Sequence, residues 1–215
     1  MASDAEQPLS RGHKKRAKTR RRLIDAAVDV IASVGEGFSL GDVSAAAGVS
    51  HGTFYNYFRD REELIAAIVP EVLGSFAAEG AEAVVDDDPA VRFAGVSALA
   101  LRRAAVEPDA VRVVVRLAAA QQALLDGAPV RHLIEDLDAG FAAGRFISGA
   151  DAATVDLVVG TLLAASRRIV DGGVDDDYPA QVLDRLLRAL GVPAPEAADL
   201  TVEGLARADA ALQPV

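Results

Sequence analysis

The chain has 215 residues, 51% of them apolar, no cysteine, and a formal net charge of −10. That length allows one large domain or a small one joined to a larger one, with roughly 70% of the unfolded chain's surface buried on folding. The absence of cysteine excludes a disulfide framework and a thiolate metal site and suits a reducing cytoplasm.

The longest uncharged apolar run, Leu157 to Ser166, is about half the roughly 20 residues that a membrane-spanning helix needs. Asp25 and Asp29 interrupt the first apolar segment after the basic N-terminus, so no signal core is expected either. The acidity is unevenly placed. Residues 1–69 hold ten Lys/Arg against nine Asp/Glu, whereas residues 70–215 hold twelve against twenty-three. Arg11 to Arg22 (RGHKKRAKTRRR) carries eight basic residues and no acid, an electrostatic footprint for phosphate, with a solvated disordered arm over residues 1–17 as the plainer expectation.

In RRLIDAAVDVIASVG, Leu23, Ala26, Ala27, Val30, Ile31 and Val34 keep helical spacing, which predicts a first helix from near Lys18 to a left-handed cap at Gly35. Ser39 with Asp42 is a capping box that opens a second helix over Leu40 to Ala47. Gly48 supplies the positive φ of a turn, Val49 plugs the corner, and Ser50 caps a third helix beginning at His51. Asp60 with Glu63 predicts another capping box and a fourth helix from Arg61. Two short helices joined by a glycine turn have the arithmetic of a helix-turn-helix. Phe54 and Phe58 pack inward with Val43 and Val49. That turns His51, Gly52, Tyr55 and Asn56 outward, with Thr53 and Tyr57 on the flank, a polar-aromatic face suited to base edges. Thr19 and Arg20, with the basic run, and Arg61 supply charge and hydroxyls for phosphate on either side.

The pattern S-L-x-D-V-x-x-A-A-G-V-S-x-G-T-F-Y-x-Y-F-x-x-R-E-E-L, Ser39 to Leu64, resembles the N-terminal signature of TetR-family transcriptional regulators, and with the first helix the resemblance covers Lys18 to Val69. It implies phosphate contacts at Ser39, Thr53, Tyr57 and Arg61 and base contacts at His51, Gly52 and Tyr55. With Thr19, Arg20, Ser50 and Asn56 these form the candidate DNA-binding set. Two positions depart from the family: Arg61 stands where Lys is usual, and His51 occupies a variable position.

Beyond the fourth helix, whose apolar face includes Phe76 and which contains Pro70, helices are expected over 89–105, 108–126, 129–143, 151–171 and 178–190, with the acidic triplets at 86–88 and 175–177 as solvated loops. The tail VPAPEAADLTVEGLARADAALQPV is expected to hold at most one more short helix. From Val155 to Ala165 apolar or small residues take nearly the whole circumference, and Val182 to Leu190 repeats a wide apolar stripe. The resemblance implies that these two helices pair with their symmetry mates. The candidate dimer interface is Val155, Val159, Gly160, Leu163, Ala164, Leu183, Leu186, Leu187 and Leu190; an ordinary buried hairpin is the alternative. Arg102, Arg116, Gln121, Gln122 and His132 are polar residues on apolar helices, and a candidate ligand pocket comprises Phe76, Phe93, Arg116, Gln121 and Phe141.

The expected fold is all-α, with a three-helix DNA-binding domain over 18–64 joined to a helical regulatory and dimerisation bundle over 65–215. His13, His51 and His132 are too scattered for a metal site, no phosphate loop is present, and no acid/base pair sits in a polar cluster, so neither catalysis, cofactor nor metal is expected. The expected function is a cytoplasmic, homodimeric, sequence-specific repressor with no membrane contact. It binds a palindromic double-stranded operator and is released when a small-molecule effector moves the fourth helix. An activator or corepressor-dependent relative, a helical enzyme, and a scaffold that no longer binds DNA are the alternatives.

Overall fold

The computed structural model describes residues 11–83 and 85–213, with side chains for all but 11–13 and 75–83. Eleven α-helices are present among them and no strand: α1 Arg11–Val34, α2 Leu40–Ala46, α3 His51–Tyr55, α4 Arg61–Ala83, α5 Pro89–Val106, α6 Pro108–Arg116, α7 Ala118–Leu125, α8 Ala128–Ala142, α9 Ala152–Asp171, α10 Tyr178–Ala189 and α11 Ala194–Ala211. The chain divides into two compact units between Ile68 and Val69, within α4.

In the first unit Leu23, Ile24, Ala27 and Ile31 of α1 are buried together with Val43, Phe54, Phe58 and Leu64. The first helix begins at Arg11 rather than near Lys18, so residues 11–17 of the expected arm are helical; residues 1–10 lie outside the described part. Gly35 takes φ +67° at the end of α1, and Gly48 takes φ +63° between α2 and α3, the left-handed region that a side chain would strain. Ser39 forms the full capping box with Asp42. The one expected at α4 is only half made. Asp60 accepts from the Glu63 N–H at 2.7 Å, but Glu63 reaches back to the N–H and Nε of Arg59 instead.

In the second unit α5 is the central helix, packed by α8, α9, α10 and α11. Its small residues let neighbours approach closely: a Cβ placed on Gly204 of α11 would stand 2.8 Å from the Ala94 carbonyl oxygen. Here the tail departs from the expectation of a short helix. Ala194–Ala211 is an 18-residue helix that buries Ala197, Leu200, Thr201, Gly204 and Ala208. The expected helix over 108–126 is broken at Leu117, which turns extended (φ −115°, ψ 113°) and buries its side chain. The Gln121 amide donates to the Val115 carbonyl at 2.9 Å, satisfying one of the acceptors that the break leaves without a helical partner.

The first acidic triplet is more than a solvated loop. Asp88 caps α5 and pairs with Arg145 at 2.9 Å, Asp86 pairs with Arg207 at 2.7 Å, and Arg145 also bonds Glu196 of α11. These ion pairs fasten the start of α5 to α11 and to the α8–α9 connection. The second triplet, Asp175 to Asp177, is exposed.

Candidate nucleic-acid interface

The outer face of α3 is assembled by the residues that do not hold it in place. Phe54 is fully buried, and Phe58 just past the helix is 1% exposed. One turn away, His51, Gly52, Tyr55 and Asn56 are exposed, Tyr55 by 49%. The His51 and Tyr55 rings meet edge to face with centroids 5.1 Å apart, and Tyr55 makes the same contact with Phe54 at 5.7 Å. The tyrosine is thus braced by two rings while half of its surface stays exposed. Nothing lies within 4 Å of a Cβ built on Gly52, and its φ is not in the left-handed region. The fold therefore makes no demand for glycine at this position.

Ser50 and Thr53 act first as caps. The Ser50 hydroxyl accepts from the Thr53 N–H at 3.1 Å and shares a hydrogen bond of 2.8 Å with the Thr53 hydroxyl. Ser39 is similarly engaged, with its hydroxyl donating to Asp42 at 2.7 Å while accepting the Asp42 N–H. The hydroxyl and then the backbone N–H of Ser39, both donating to the carboxylate, hold the Asp42 carboxyl below its ordinary value.

A groove between α1 and α3 is lined by Lys15, Arg16, Thr19, Thr53, Asn56 and Tyr57. Arg16 donates to the Asn56 carbonyl at 3.4 Å and lies over the Tyr57 ring at 5.7 Å, and Thr19 donates to the Lys15 carbonyl at 3.2 Å. Lys15 and Arg16 were seen in the sequence only as members of a basic run. Their spacing to Thr19, one helical turn, is the signal that would have separated them from it.

Other members of that run serve the fold. Arg22 donates to the Ala47 carbonyl at 2.6 Å, placing a cation on the C-terminal end of α2. Arg21 pairs with Asp25 at 2.8 Å, and Arg20 lies over the Phe58 ring at 5.3 Å. Arg61 is also drawn inward: it donates to the Glu36 carbonyl at 2.6 Å and stacks over Phe38 at 4.4 Å. This doubles as the reason a planar guanidinium suits the position.

The expected dimer set needs correction. Val159 is 7% exposed and Leu183, Leu186, Leu187 and Leu190 are 0–2% exposed, all inside the core of their own chain, because α5 and α11 cover the stripe of α10. Val155 and Leu163 are half-buried against that core. Gly160 and Ala164 do face outward on α9, alongside Leu157, which the sequence reading did not select.

Of the expected pocket residues, Phe93, Arg116, Gln121 and Phe141 lie outside the lining of the cavity described below. Phe93 is buried against Phe146, Arg116 pairs with Asp171 at 2.6 Å, Gln121 bonds the Val115 carbonyl, and Phe141 is 54% exposed. The Phe76 side chain lies outside the described residues. Of the other polar candidates, Arg102 pairs with Asp209 and Gln122 bonds Asp126, while His132 is half-buried. A cavity of about 160 Å³ is lined instead by α5, α6, α7, α8 and α9, including Val114, Val130, Leu133, Val159 and Leu163. Two members of the expected dimer set, Val159 and Leu163, therefore face the cavity.

Residues 23–68 match the family model described as bacterial regulatory proteins, tetR family. The chain is 40% identical over 57 residues to the HTH-type transcriptional repressor LfrR of Mycolicibacterium smegmatis, and 39% identical over 56 residues to the fatty acid metabolism regulator protein of Bacillus subtilis. Each alignment spans 26% of this chain and only 30% or 29% of the relative. Across nearly the whole chain the fold is similar to the crystal structure of RolR in complex with resorcinol, at 27% identity and a TM-score of 0.65, covering 94% of this chain and 97% of the other. FadR from Bacillus subtilis in complex with stearoyl-CoA shares the fold at 22% identity and a TM-score of 0.66, covering 81% and 98%. A helix-turn-helix head that matches the family model, followed by a helical domain similar in fold to these regulators, is what the chain shares with the tetR family of bacterial regulatory proteins.

Proposed function

We propose that the protein is a cytoplasmic, homodimeric repressor that binds a palindromic operator through α3 and is released by a small-molecule effector. The observation that carries the DNA-binding part is the α3 face: an exposed, braced tyrosine beside a glycine that the fold does not require, bordered by the Lys15–Arg16–Thr19 groove. His51, Gly52, Tyr55 and Asn56 read bases. Thr19, Arg20, Ser39, Ser50, Thr53, Tyr57 and Arg61 position phosphates, and Lys15 and Arg16 join them. Because the second unit holds most of the acidic excess, phosphate attraction is local to the head.

The dimer interface is the outward face of α9, with Leu157, Gly160 and Ala164 at its centre. A two-fold assembly needs a self-complementary patch, and small residues one turn apart let two helices approach closely. A two-fold dimer matches a palindrome. The effector site is the 160 Å³ cavity, and α4, which continues from one unit into the other, carries its signal. RolR with resorcinol and FadR with stearoyl-CoA support a regulator that takes a small ligand. The protein has no catalytic role in this reading.

The test is a duplex selected by the protein from random sequence, titrated by fluorescence anisotropy at several salt concentrations. Specific binding at nanomolar concentration with a steep salt slope is expected. Lys15→Ala and Arg16→Ala should each make the log-affinity slope shallower by up to about 0.9 per lost phosphate contact. Failure to select any sequence, or slopes unchanged in both variants, overturns the proposed interface.

A further inference from the structure

The cavity of the second unit is walled almost wholly by hydrocarbon. Its lining, drawn from five helices, is Val, Leu, Ala and Pro except for Ser97 and Arg103 of α5 and Ser166 of α9. Arg103, the charged residue of that lining, has its partners within the chain, Glu107 among them with Nε to Oε2 at 3.7 Å, so it asks for no anion from outside. Among the described residues no carboxylate lines the cavity to receive a cation. Ser97 differs from both. It is 1% exposed, and its hydroxyl has no hydrogen-bond partner in the protein. Ser44, similarly buried in α2, shows the usual remedy for a serine inside a helix: its hydroxyl donates to the Leu40 carbonyl one turn back at 2.7 Å. Ser97 makes no such bond within α5. A buried polar atom without a partner is uncommon in a folded protein, and an oxygen of a guest in the cavity supplies the partner that is missing.

We infer that this cavity takes a small neutral alcohol or ketone, a single ring or short branched body bearing one oxygen that hydrogen-bonds the Ser97 hydroxyl. The size argument comes from volume: an apolar cavity of about 150 Å³ holds benzene, and this one measures about 160 Å³. The chemistry argument comes from the serine, since a hydroxyl both donates and accepts and so serves a carbonyl as donor and an alcohol as either. A charged group is rejected, because a charge carried onto an aliphatic wall without a counter-charge is costly. A long acyl chain is rejected by the volume. Ser97 is then the specificity-determining residue of the cavity, choosing an oxygenated guest over a hydrocarbon of the same shape.

This inference rests on the effector reading of the cavity, and the experiment separates the two. Benzyl alcohol, ethylbenzene, benzylamine and benzoate share one ring and differ in the group it carries. Each is titrated into the full-length protein by calorimetry, and release of the selected duplex is read in parallel by anisotropy. Benzyl alcohol is expected to bind at least about tenfold more tightly than benzylamine or benzoate, whose charges would be buried without a partner. Ser97→Ala is expected to fold at least as well as the parent, because the hydroxyl it removes makes no bond in the protein. It should weaken benzyl alcohol about tenfold, the cost of leaving the guest's hydroxyl buried and unpaired, and leave ethylbenzene within about threefold. Retained ethylbenzene binding shows that the cavity of the variant is intact. No binding of benzyl alcohol, benzyl alcohol no tighter than either charged analogue, or a Ser97→Ala variant that weakens neither guest or both equally overturns the inference. Benzyl alcohol binding that depends on Ser97 without operator release upholds the inference and overturns the effector reading.

Discussion

Gly52 separates what the fold needs from what the DNA needs, and Gly52→Ala tests the separation directly. A Cβ at this position meets nothing within 4 Å, and the backbone is not in the left-handed region, so the substitution carries no steric or conformational cost in the protein itself. Alanine is better than glycine in a helix interior by about 1 kcal/mol, and at the second residue of α3 part of that gain should survive. At about 2–4 °C per kcal/mol for a protein of this size, the melting temperature should stay level or rise by up to about 3 °C. On DNA the added methyl holds the α3 backbone away from the base edges. Losing one good contact costs about 1–3 kcal/mol per half-site, which two heads double to about 2–6 kcal/mol. With roughly tenfold per 1.4 kcal/mol, affinity for the selected duplex should drop by about 30-fold or more. Thermal melts and anisotropy titrations on the same preparation read both quantities. An unchanged affinity sinks the assignment of α3 as the reading helix; a lowered melting temperature shows that the glycine serves the fold after all.

Gly204→Ala should do the opposite. Its Cβ lands 2.8 Å from the Ala94 oxygen and 2.9 Å from the Ala94 carbonyl carbon, so α5 and α11 must part, at about 1–3 kcal/mol against a helix gain of about 1; Gly74→Ala, with open space around it, is the control, and a variant as stable as that control refutes the seam. Leu187→Ala should cost about 2–5 kcal/mol at any protein concentration because the side chain is buried in its own chain, whereas Ala164→Glu should leave the fold and split the dimer, as sedimentation will show; the reverse pattern moves the interface back to α10. Arg61→Lys should keep phosphate attraction but lose the stack on Phe38, lowering the melting temperature without abolishing binding, and equal loss of both refutes the dual role. Asp42, Asp86, Asp151 and Glu63 all have folded-state values below their ordinary ones through hydrogen bonds from Ser39, Asp88, Thr154 and Arg59 respectively, so their contribution is complete above about pH 5 and is lost as pH falls through about 4 and below. A melting temperature already falling between pH 7 and 5.5 would contradict that account.

The helix-turn-helix fold of the first unit was legible because its determinants are local. Caps at Ser39 and Ser50 and the turn at Gly48 act within four residues of themselves, and the aromatic spacing of Phe54 and Phe58 fixes which face of α3 is left outside. What was misread in the head involves partners far along the chain: Arg22 reaching Ala47 and Arg61 reaching Glu36 cannot be inferred from a run of like charges. In the second unit the helices were legible and their partners were not. The stripe of α10 gives its width but not what covers it, and the answer, α11, was hidden because its buried face carries one large apolar side chain, Leu200, among Ala197, Thr201, Gly204 and Ala208, which hardly register as apolar.

The adjacent arginines of α5 show where sequence reading reaches its limit. Arg102 and Arg103 are chemically identical and differ by about 100° around the helix axis. Periodicity alone cannot choose between them, because the apolar face of α5 is wide enough to touch both: twelve of its eighteen residues are buried. Only the positions of α9 and α11 break the tie. Arg102 turns toward α11 and pairs with Asp209 at 2.9 Å, leaving a partly exposed salt bridge that contributes little. Arg103 is 3% exposed and lines the cavity together with Leu163 and Ser166 of α9. A hundred degrees of rotation thus decides which arginine is a surface fastening and which is buried in the second unit. The same reasoning makes Arg102→Met a mild change: it removes a partly exposed pair worth less than about 1 kcal/mol, so the melting temperature should stay within about 4 °C of the parent's, and a larger loss refutes the reading of the Asp209 pair as a surface fastening.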